Sequence, residues 1–590
     1  MEEKNKHFTS ARNAQIILYL LKAKNIKKII TSPGTQNMSL VLSMQRDPFF
    51  EVYSAPDERS AAYIACGLSA ESGEPVVLSC TGATASRNYI PGLTEAYYRH
   101  IPIIAITSTE KVNKIGQNIA QIIDRNSRQS DIAKTSVLAK VINNDDDEWE
   151  CVLEINKALL EINHHGIGPV HINLEKANDS DFSTAIIPPC RIINRYTTED
   201  NTYPIIPNGQ IAIFVGAHSK FDKELTKMID DFCAQHDAVV FCDKSSNYHG
   251  KYAMHFSMVA SQDRYISPLL KTDLLIWLGE ITGDYYQQGK LGANTKEVWR
   301  VNMDGKLRDQ FKKLTSVFEM SEATFFSYYT SNSENSKDDY LNKCETERKM
   351  CYNKIPQLPF SNIWIAKLMA DKIPAYSVMH FGILNSLRAW NFFLTDNSIE
   401  TSSNVGGFGI DGGLSTLLGA SLANPNQVHF GIFGDLAFFY DMNCLGNRHL
   451  GNNLRIILVN NALGSEFKLY SHPASKFGKE ANKYIAAAHH YGNQSPFLIR
   501  HYSEDLGFKY LSANSKEELI EKYPQFIVEQ SDKSIVFEVF TNAEDENKAL
   551  SIMNNLIISK EEQIKDKIKG VIGKNRINAI SNILGSIRSK

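Results

Sequence analysis

Long apolar runs are missing from this chain of 590 residues: no stretch approaches the roughly 18 apolar residues of a membrane span. The opening MEEKNKHFTSARNAQ lacks the apolar core of a signal peptide. An excess of one charge is missing too. With 63 Lys+Arg against 66 Asp+Glu the net charge is −3, which leaves no electrostatic case for nucleic acid. Nine cysteines are scattered without CxxC spacing, so neither a zinc site nor a disulfide framework is indicated. Reduced thiols in a cytoplasmic protein are therefore expected. Residues 210–330 carry no glycine-rich dinucleotide fingerprint. What remains is the composition of an ordinary globular protein, 43% hydrophobic and 22% charged, too long for one core.

Several apolar runs read as strands alternating with helical segments, which predicts an α/β protein of doubly wound parallel sheets. In 8–185 these runs are KKIITSPG, VVLSC, IPIIAITS and GPVHINL. A proline-dotted linker follows (IIPPC at 186–190, YPIIPNG at 203–209), and 205–330 holds a second set, QIAIFVGA, AVVFC, LLIWLGE and EVWRVNMD. The polar run Ser331–Lys354 is a second linker or a solvated helix, and 355–555 forms a third region closing with SIVFEVFT. Residues 560–590 place Ile564, Ile568 and Ile572 at helical spacing among lysines, predicting a basic helical extension packed on protein or, less simply, on a membrane surface.

Residues 434–461 carry the most chemistry. VHFGIF runs into Gly434-Asp435, a helix-like crossover follows, and LRIILV ends in Asn460-Asn461. Continuous apolar strands of this kind are covered on both faces, and open α/β sheets bind ligands at the carboxyl ends of their strands. One carboxylate and one amide carbonyl there, with diphosphate oxygens and water, suit the octahedral oxygen shell of Mg²⁺. A βαβ unit with a merely polar strand end is the plainer alternative. Upstream, FEVYSAPDERSAAYIACGLSAESGEPVVLSCTGATASRN places Asp57-Glu58 at a strand end before a helix, either as a functional acid or as a helix-initiating pair.

Together these segments resemble the thiamine diphosphate enzymes, whose signature is Gly-Asp followed some two dozen residues later by Asn-Asn. The resemblance implies three domains, binding the pyrimidine (8–185), central (205–330) and binding the diphosphate (355–555). It implies Mg²⁺ or Mn²⁺ held by Asp435, Asn461 and the Leu463 carbonyl. Glu58 then hydrogen-bonds N1′ of the aminopyrimidine and activates the cofactor, and Ile410 wedges it into a bent shape. Thr81, Gly82, Asn88, Gly434, Leu436, Gly464 and Phe467 complete the cofactor contacts. In that family one cofactor is shared between subunits, so a homodimer or a dimer of dimers is expected.

SPGTQNMSL, DERSAAYIACGL, SNVGGFGIDGGLSTLLGA and GDLAFFYDMN resemble one branch, the MenD-type SEPHCHC synthases (2-succinyl-5-enolpyruvyl-6-hydroxy-3-cyclohexene-1-carboxylate synthases), over most of 10–555. These join a unit from decarboxylated 2-oxoglutarate to isochorismate, using arginines against carboxylates. Where that branch has arginine, this chain has Gln36, Glu110, Trp390 and Val405, with Arg388 two positions from Trp390. Glu466 replaces an isoleucine near the reacting carbon. Gln117, Asn118, Gln121 and Ser386 are further substrate candidates, while His472, His489 and His490 carry no assigned role. The expectation is an enzyme that decarboxylates a 2-oxo acid and transfers the remaining carbon unit to a neutral, sugar-like or amino-bearing acceptor. Alternatives are a simple decarboxylase, SEPHCHC synthase itself, and a non-catalytic subunit.

Overall fold

The computed structural model describes residues 7–124, 129–177, 180–330, 338–489 and 495–558. They form two compact units, one of the described residues up to Asp200 with Gly305–Val317, the other of Asn201–Asp304 and the described residues from Phe318 onward.

The first unit is built on six parallel strands: β1 (Lys28–Thr31), β2 (Glu51–Ser54), β3 (Val76–Cys80), β4 (Ile103–Thr109), β5 (Ser136–Ala139) and β6 (Val170–Glu175). Their spatial order is β2-β1-β3-β4-β6-β5. Side chains alternate across a strand, so a continuously apolar strand feeds two cores at once. Ile29, Val77, Ile104 and Ile106 join the helices Arg12–Ala23 and Asp145–Glu161 on one face. Ile30, Leu78, Ile103 and Ala105 meet the helices Glu58–Ser72 and Ile90–Tyr98 on the other.

The short strands β7 (Asn194–Thr197) and β13 (Leu314–Glu319) lie where the chain passes between units. The second unit contains β8 (Ile211–Val215), β9 (Val239–Phe241), β10 (Ala253–Met254), β11 (Leu274–Leu278) and β12 (Glu297–Val301), parallel neighbours in the order β10-β9-β8-β11-β12. It also contains a third sheet: β14 (Val378–Phe381), β15 (Glu400–Ser403), β16 (His429–Gly434), β17 (Leu454–Asn460), β18 (Lys509–Ala513) and β19 (Ile535–Phe540). Its order, β15-β14-β16-β17-β19-β18, repeats that of the first sheet strand for strand, again all parallel.

The three parallel α/β sheets are those the apolar runs predict. In the polar run after Ser331, Asp339–Asn353 is a helix that buries Tyr340, Leu341, Cys344 and Cys351, so its inner stripe is not solvated. The predicted extension at 560–590 and His490 lie outside the described residues. Among the described residues no helix is long and apolar enough to cross a membrane.

Candidate active site

In the second unit, the pairing of Gly434 with Val459 brings the ends of β16 and β17 side by side. Asp435 follows immediately as the buried first residue of the helix Asp435–Asp441. Its Oδ1 accepts the Leu436 N–H at 2.8 Å, while Oδ2 is buried without a partner. The two asparagines at the end of β17 divide their work. Asn460 is structural, donating to Glu538 Oε1 at 2.7 Å and accepting the Ala462 N–H at 3.2 Å. That bond holds Ala462 in the left-handed region, φ 66°. Asn461 donates to Ser465 Oγ at 3.2 Å and keeps its Oδ1 buried and unpartnered.

Two buried oxygens, one carboxylate and one amide, are thus left without donors at adjacent strand ends. Burial pushes the Asp435 carboxyl up to about 7, although the backbone N–H groups of Leu436, Ala462 and Asn461 pull the other way. Unpartnered buried polar oxygens are costly, and a hard divalent cation satisfies both. The residues present fit Mg²⁺ or Mn²⁺.

The surroundings hold this pair in place. Asp441, at the far end of the same helix, accepts the Ser415 N–H and hydroxyl, each at 2.6 Å, and so ties it to the helix Gly413–Ala423. Gly413 lies against the Phe433 ring, where a Cβ would come within 2.7 Å. Glu546 is buried and accepts the Asn362 N–H at 3.0 and 3.1 Å and the Thr541 hydroxyl at 2.8 Å. Burial raises it to about 7, with Asp435 contributing. Gly434, Leu436, Leu463, Gly464 and Phe467 are half-buried around these strand ends, Gly464 fixed by its N–H to Ala486 O at 2.6 Å, and Ile410, also half-buried, precedes the helix Gly413–Ala423.

In the first unit, the two acids after β2 also separate. Asp57 caps the helix Glu58–Ser72 by accepting the Ser60 N–H at 2.7 Å, a bond that holds its carboxyl below the usual range. Glu58 opens the helix half-exposed and has no hydrogen-bond or ion-pair partner among the described residues. Capping is done by its neighbour, which leaves Glu58 available. Nearby, Thr81 Oγ1 is buried without a partner. Gly82 N–H faces Gln36 Oε1 at 3.4 Å, and a Cβ there would meet Ser108 O at 3.0 Å and Gln121 O at 3.4 Å. Asn88 does not join them; it ends the helix Ala83–Asn88 on the exposed surface.

The proposed substrate residues are scattered in character. Gln36 and Val405 are buried, and Glu110 is matched by Lys114 at 2.8 Å and Lys176 at 3.8 Å. Gln117, Asn118 and Gln121 are exposed, the last two with φ 55° and 64°. Trp390 departs from the expectation: it is a core residue, fully buried and 5.7 Å from Phe381 between ring centroids. Ser386 is buried within 3.5 Å of Asn362 Nδ2. Glu466 forms a two-pronged ion pair with Arg388, at 2.9 and 3.1 Å. His472 caps a 3₁₀ turn by accepting the Ala474 N–H, and His489 is exposed. Ser465, Asp441 and Glu546 escaped the sequence reading. Only Ser465 carried a local signal, a hydroxyl four residues beyond Asn461.

Residues 12–128 match the family model described as thiamine pyrophosphate enzyme, N-terminal TPP binding domain. The chain is a thiamine diphosphate-dependent enzyme, working with a divalent metal. It is similar to the 2-succinyl-5-enolpyruvyl-6-hydroxy-3-cyclohexene-1-carboxylate synthase of Bacteroides fragilis, 29% identical over 564 residues, 92% of this chain and 98% of the relative. The enzyme of that name from Bacteroides thetaiotaomicron is 29% identical over 562 residues (92% and 98%), and that of Flavobacterium psychrophilum 28% over 563 (90% and 96%).

Proposed function

We propose that the enzyme releases CO₂ from a 2-oxo acid and joins the remaining carbon unit to an electrophilic acceptor other than isochorismate. The observation that carries this reading is the pair of buried, unpartnered oxygens on Asp435 and Asn461. In this reading these two residues and the Leu463 carbonyl hold the metal, and Ile410 supports the cofactor's bent shape. Thr81, Gly82, Gly434, Leu436, Gly464 and Phe467 line the cofactor. Glu58 holds the proton at N1′ of the aminopyrimidine. Bound thiamine diphosphate supplies an electron sink for the carbon left when CO₂ departs.

Glu58 and Asp435 serve one cofactor across a homodimer or dimer of dimers. Supporting this, the helix that Glu58 opens exposes Tyr63 (48%) and Ile64 (51%), and the helix that Asp435 opens exposes Tyr440 (61%). Apolar side chains presented beside half-sites are what a C₂ partner would cover.

The acceptor is argued from charge. Of the four positions where the resemblance expects arginine, Gln36, Trp390 and Val405 are neutral and buried, and Glu110 is acidic and already matched by two lysines. Each lost charge-assisted bond costs about 1.5–3 kcal/mol, so binding of a substrate rich in carboxylates is forfeited. A second reading, SEPHCHC synthase itself, is favoured by a similarity spanning 98% of the Bacteroides fragilis relative. A screen of 2-oxo acids for CO₂ release, with and without aldehyde acceptors, tests the proposal. Free aldehyde as the sole product removes the ligation step, and turnover of 2-oxoglutarate with isochorismate establishes the second reading.

A further inference from the structure

A chain of hydrogen bonds runs from the metal half-site to a small cavity. Asn461 and Asn385 both donate to Ser465 Oγ, at 3.2 and 2.9 Å. Asn385 Oδ1 in turn accepts from Arg388 Nη1 at 2.8 Å. The guanidinium then grips Glu466 with both terminal nitrogens, Nη1 to Oε2 at 2.9 Å and Nη2 to Oε1 at 3.1 Å. Both side chains are mostly enclosed, 15% and 21% exposed. Arg388 lines a cavity of about 140 Å³ with Ser257, Asp284, Tyr285, Tyr286 and Ser471.

The charge that Arg388 brings to this cavity is already balanced by Glu466. A guanidinium offers five N–H groups, and three are engaged here, one by Asn385 and two by Glu466. The other two, on Nε and Nη2, have no partner among the described residues and can serve a hydroxyl or carbonyl oxygen. A carboxylate reaching for them would lie beside Glu466 and face Asp284, which is itself satisfied by the Ser257 hydroxyl, the Gln287 amide at 2.6 Å and two backbone N–H groups. Like charges at such range repel, and Glu466 already neutralises the guanidinium charge that a carboxylate would seek.

We infer that this cavity receives an uncharged, hydroxyl-bearing end of the substrate, and that Glu466 bars a carboxylate from it by occupying Arg388. That the cavity serves substrate rests on the thiamine diphosphate reading; that Glu466 silences Arg388 rests on geometry alone.

The test is a calorimetric titration of the full chain, loaded with Mg²⁺ and thiamine diphosphate, with glutarate as an unreactive dicarboxylate. Glu466→Gln is expected to bind it at least about tenfold more tightly than the unaltered protein, because the guanidinium charge is no longer neutralised. Adding Arg388→Gln to that variant is expected to return affinity to the starting level. Arg388→Gln alone, which stays informative should Glu466→Gln not fold, is expected to bring no gain in glutarate affinity, because Glu466 then stands unbalanced. No gain in Glu466→Gln, a gain that survives in the double variant, or a gain in Arg388→Gln alone overturns the inference. Among acceptors, glyceraldehyde is expected to outrun tartronate semialdehyde, its carboxylate counterpart, by about tenfold in kcat/KM, and Glu466→Gln to erase that margin. An unchanged ratio overturns the inference as well. The titration needs no turnover, so a failed substrate assignment is distinguishable from failure of the cofactor reading, which shows as no uptake of thiamine diphosphate.

Discussion

At the scale of residues, chemistry and stability pull against each other. Asp435 is a buried acid whose carboxyl sits near 7 without a cation. A carboxyl raised on folding costs stability as pH rises from the ordinary carboxylate range, near 4, up to about 7, and the cost is constant above that. Asp435→Asn is therefore expected to abolish Mg²⁺-dependent uptake of thiamine diphosphate while stabilising the metal-free protein by roughly 2–4 kcal/mol at pH 8. Thermal melts in chelator at pH 8 and pH 4.5 should show the gain shrinking at the lower pH; an equal gain at both would remove burial as its cause. Glu58→Gln should lower turnover by about 100-fold or more and leave metal binding intact, as measured by CO₂ release and calorimetry. The candidate residues were legible in the residue order, because Gly-Asp and Asn-Asn at strand ends match the signature of the thiamine diphosphate enzymes. Which of Asp57 and Glu58 caps the helix was not legible, since both can; the Ser60 N–H decides it by pointing at Asp57.

At the scale of elements, the half-site depends on how one short helix is held. The helix Asp435–Asp441 has only seven residues, too few to be stable alone, and its far end is tied to the neighbouring helix through Asp441 and Ser415. Asp441→Ala leaves two donors unmet and is expected to cost about 2–3 kcal/mol in denaturant unfolding. Affinity for Mg²⁺ should weaken several-fold; unaltered affinity would show that the helix keeps its place without the tie. Strands were the most readable elements, because β3, β4 and β17 are buried on both faces and hence carry runs of apolar residues. Edge strands were not. Glu400–Ser403 and Lys509–Ala513 lie at the rims of their sheet, where one-sided cover relaxes the demand for apolar residues.

At the scale of the whole molecule, the repeated strand order places Glu58 after β2 in the first sheet and Asp435 and Asn461 after β16 and β17 in the third. The proposed sharing of one cofactor between protomers makes a sharp forecast. Glu58→Gln and Asp435→Asn, each inactive, disable different halves. Heterodimers formed by mixing them contain one site with both defects and one with none. After exchange of subunits about a quarter of full activity should return, half of the dimers having one working site of two. No recovery, with heterodimers confirmed by co-purification through two different affinity tags, would place both halves of each site in one chain.

The order of amino acids by itself determined the alternation of apolar strands and helices and the carboxylate and amides at strand ends. These are local consequences of side-chain polarity and backbone period, readable without neighbours. Tertiary structure alone decided what each charge faces. Arg388 and Glu466 stand 78 residues apart, and nothing in either segment announces the other. Folding turns a cation that reads as available into one already spoken for, because electrostatic interactions depend on distance in space and on burial, neither of which the linear chain records.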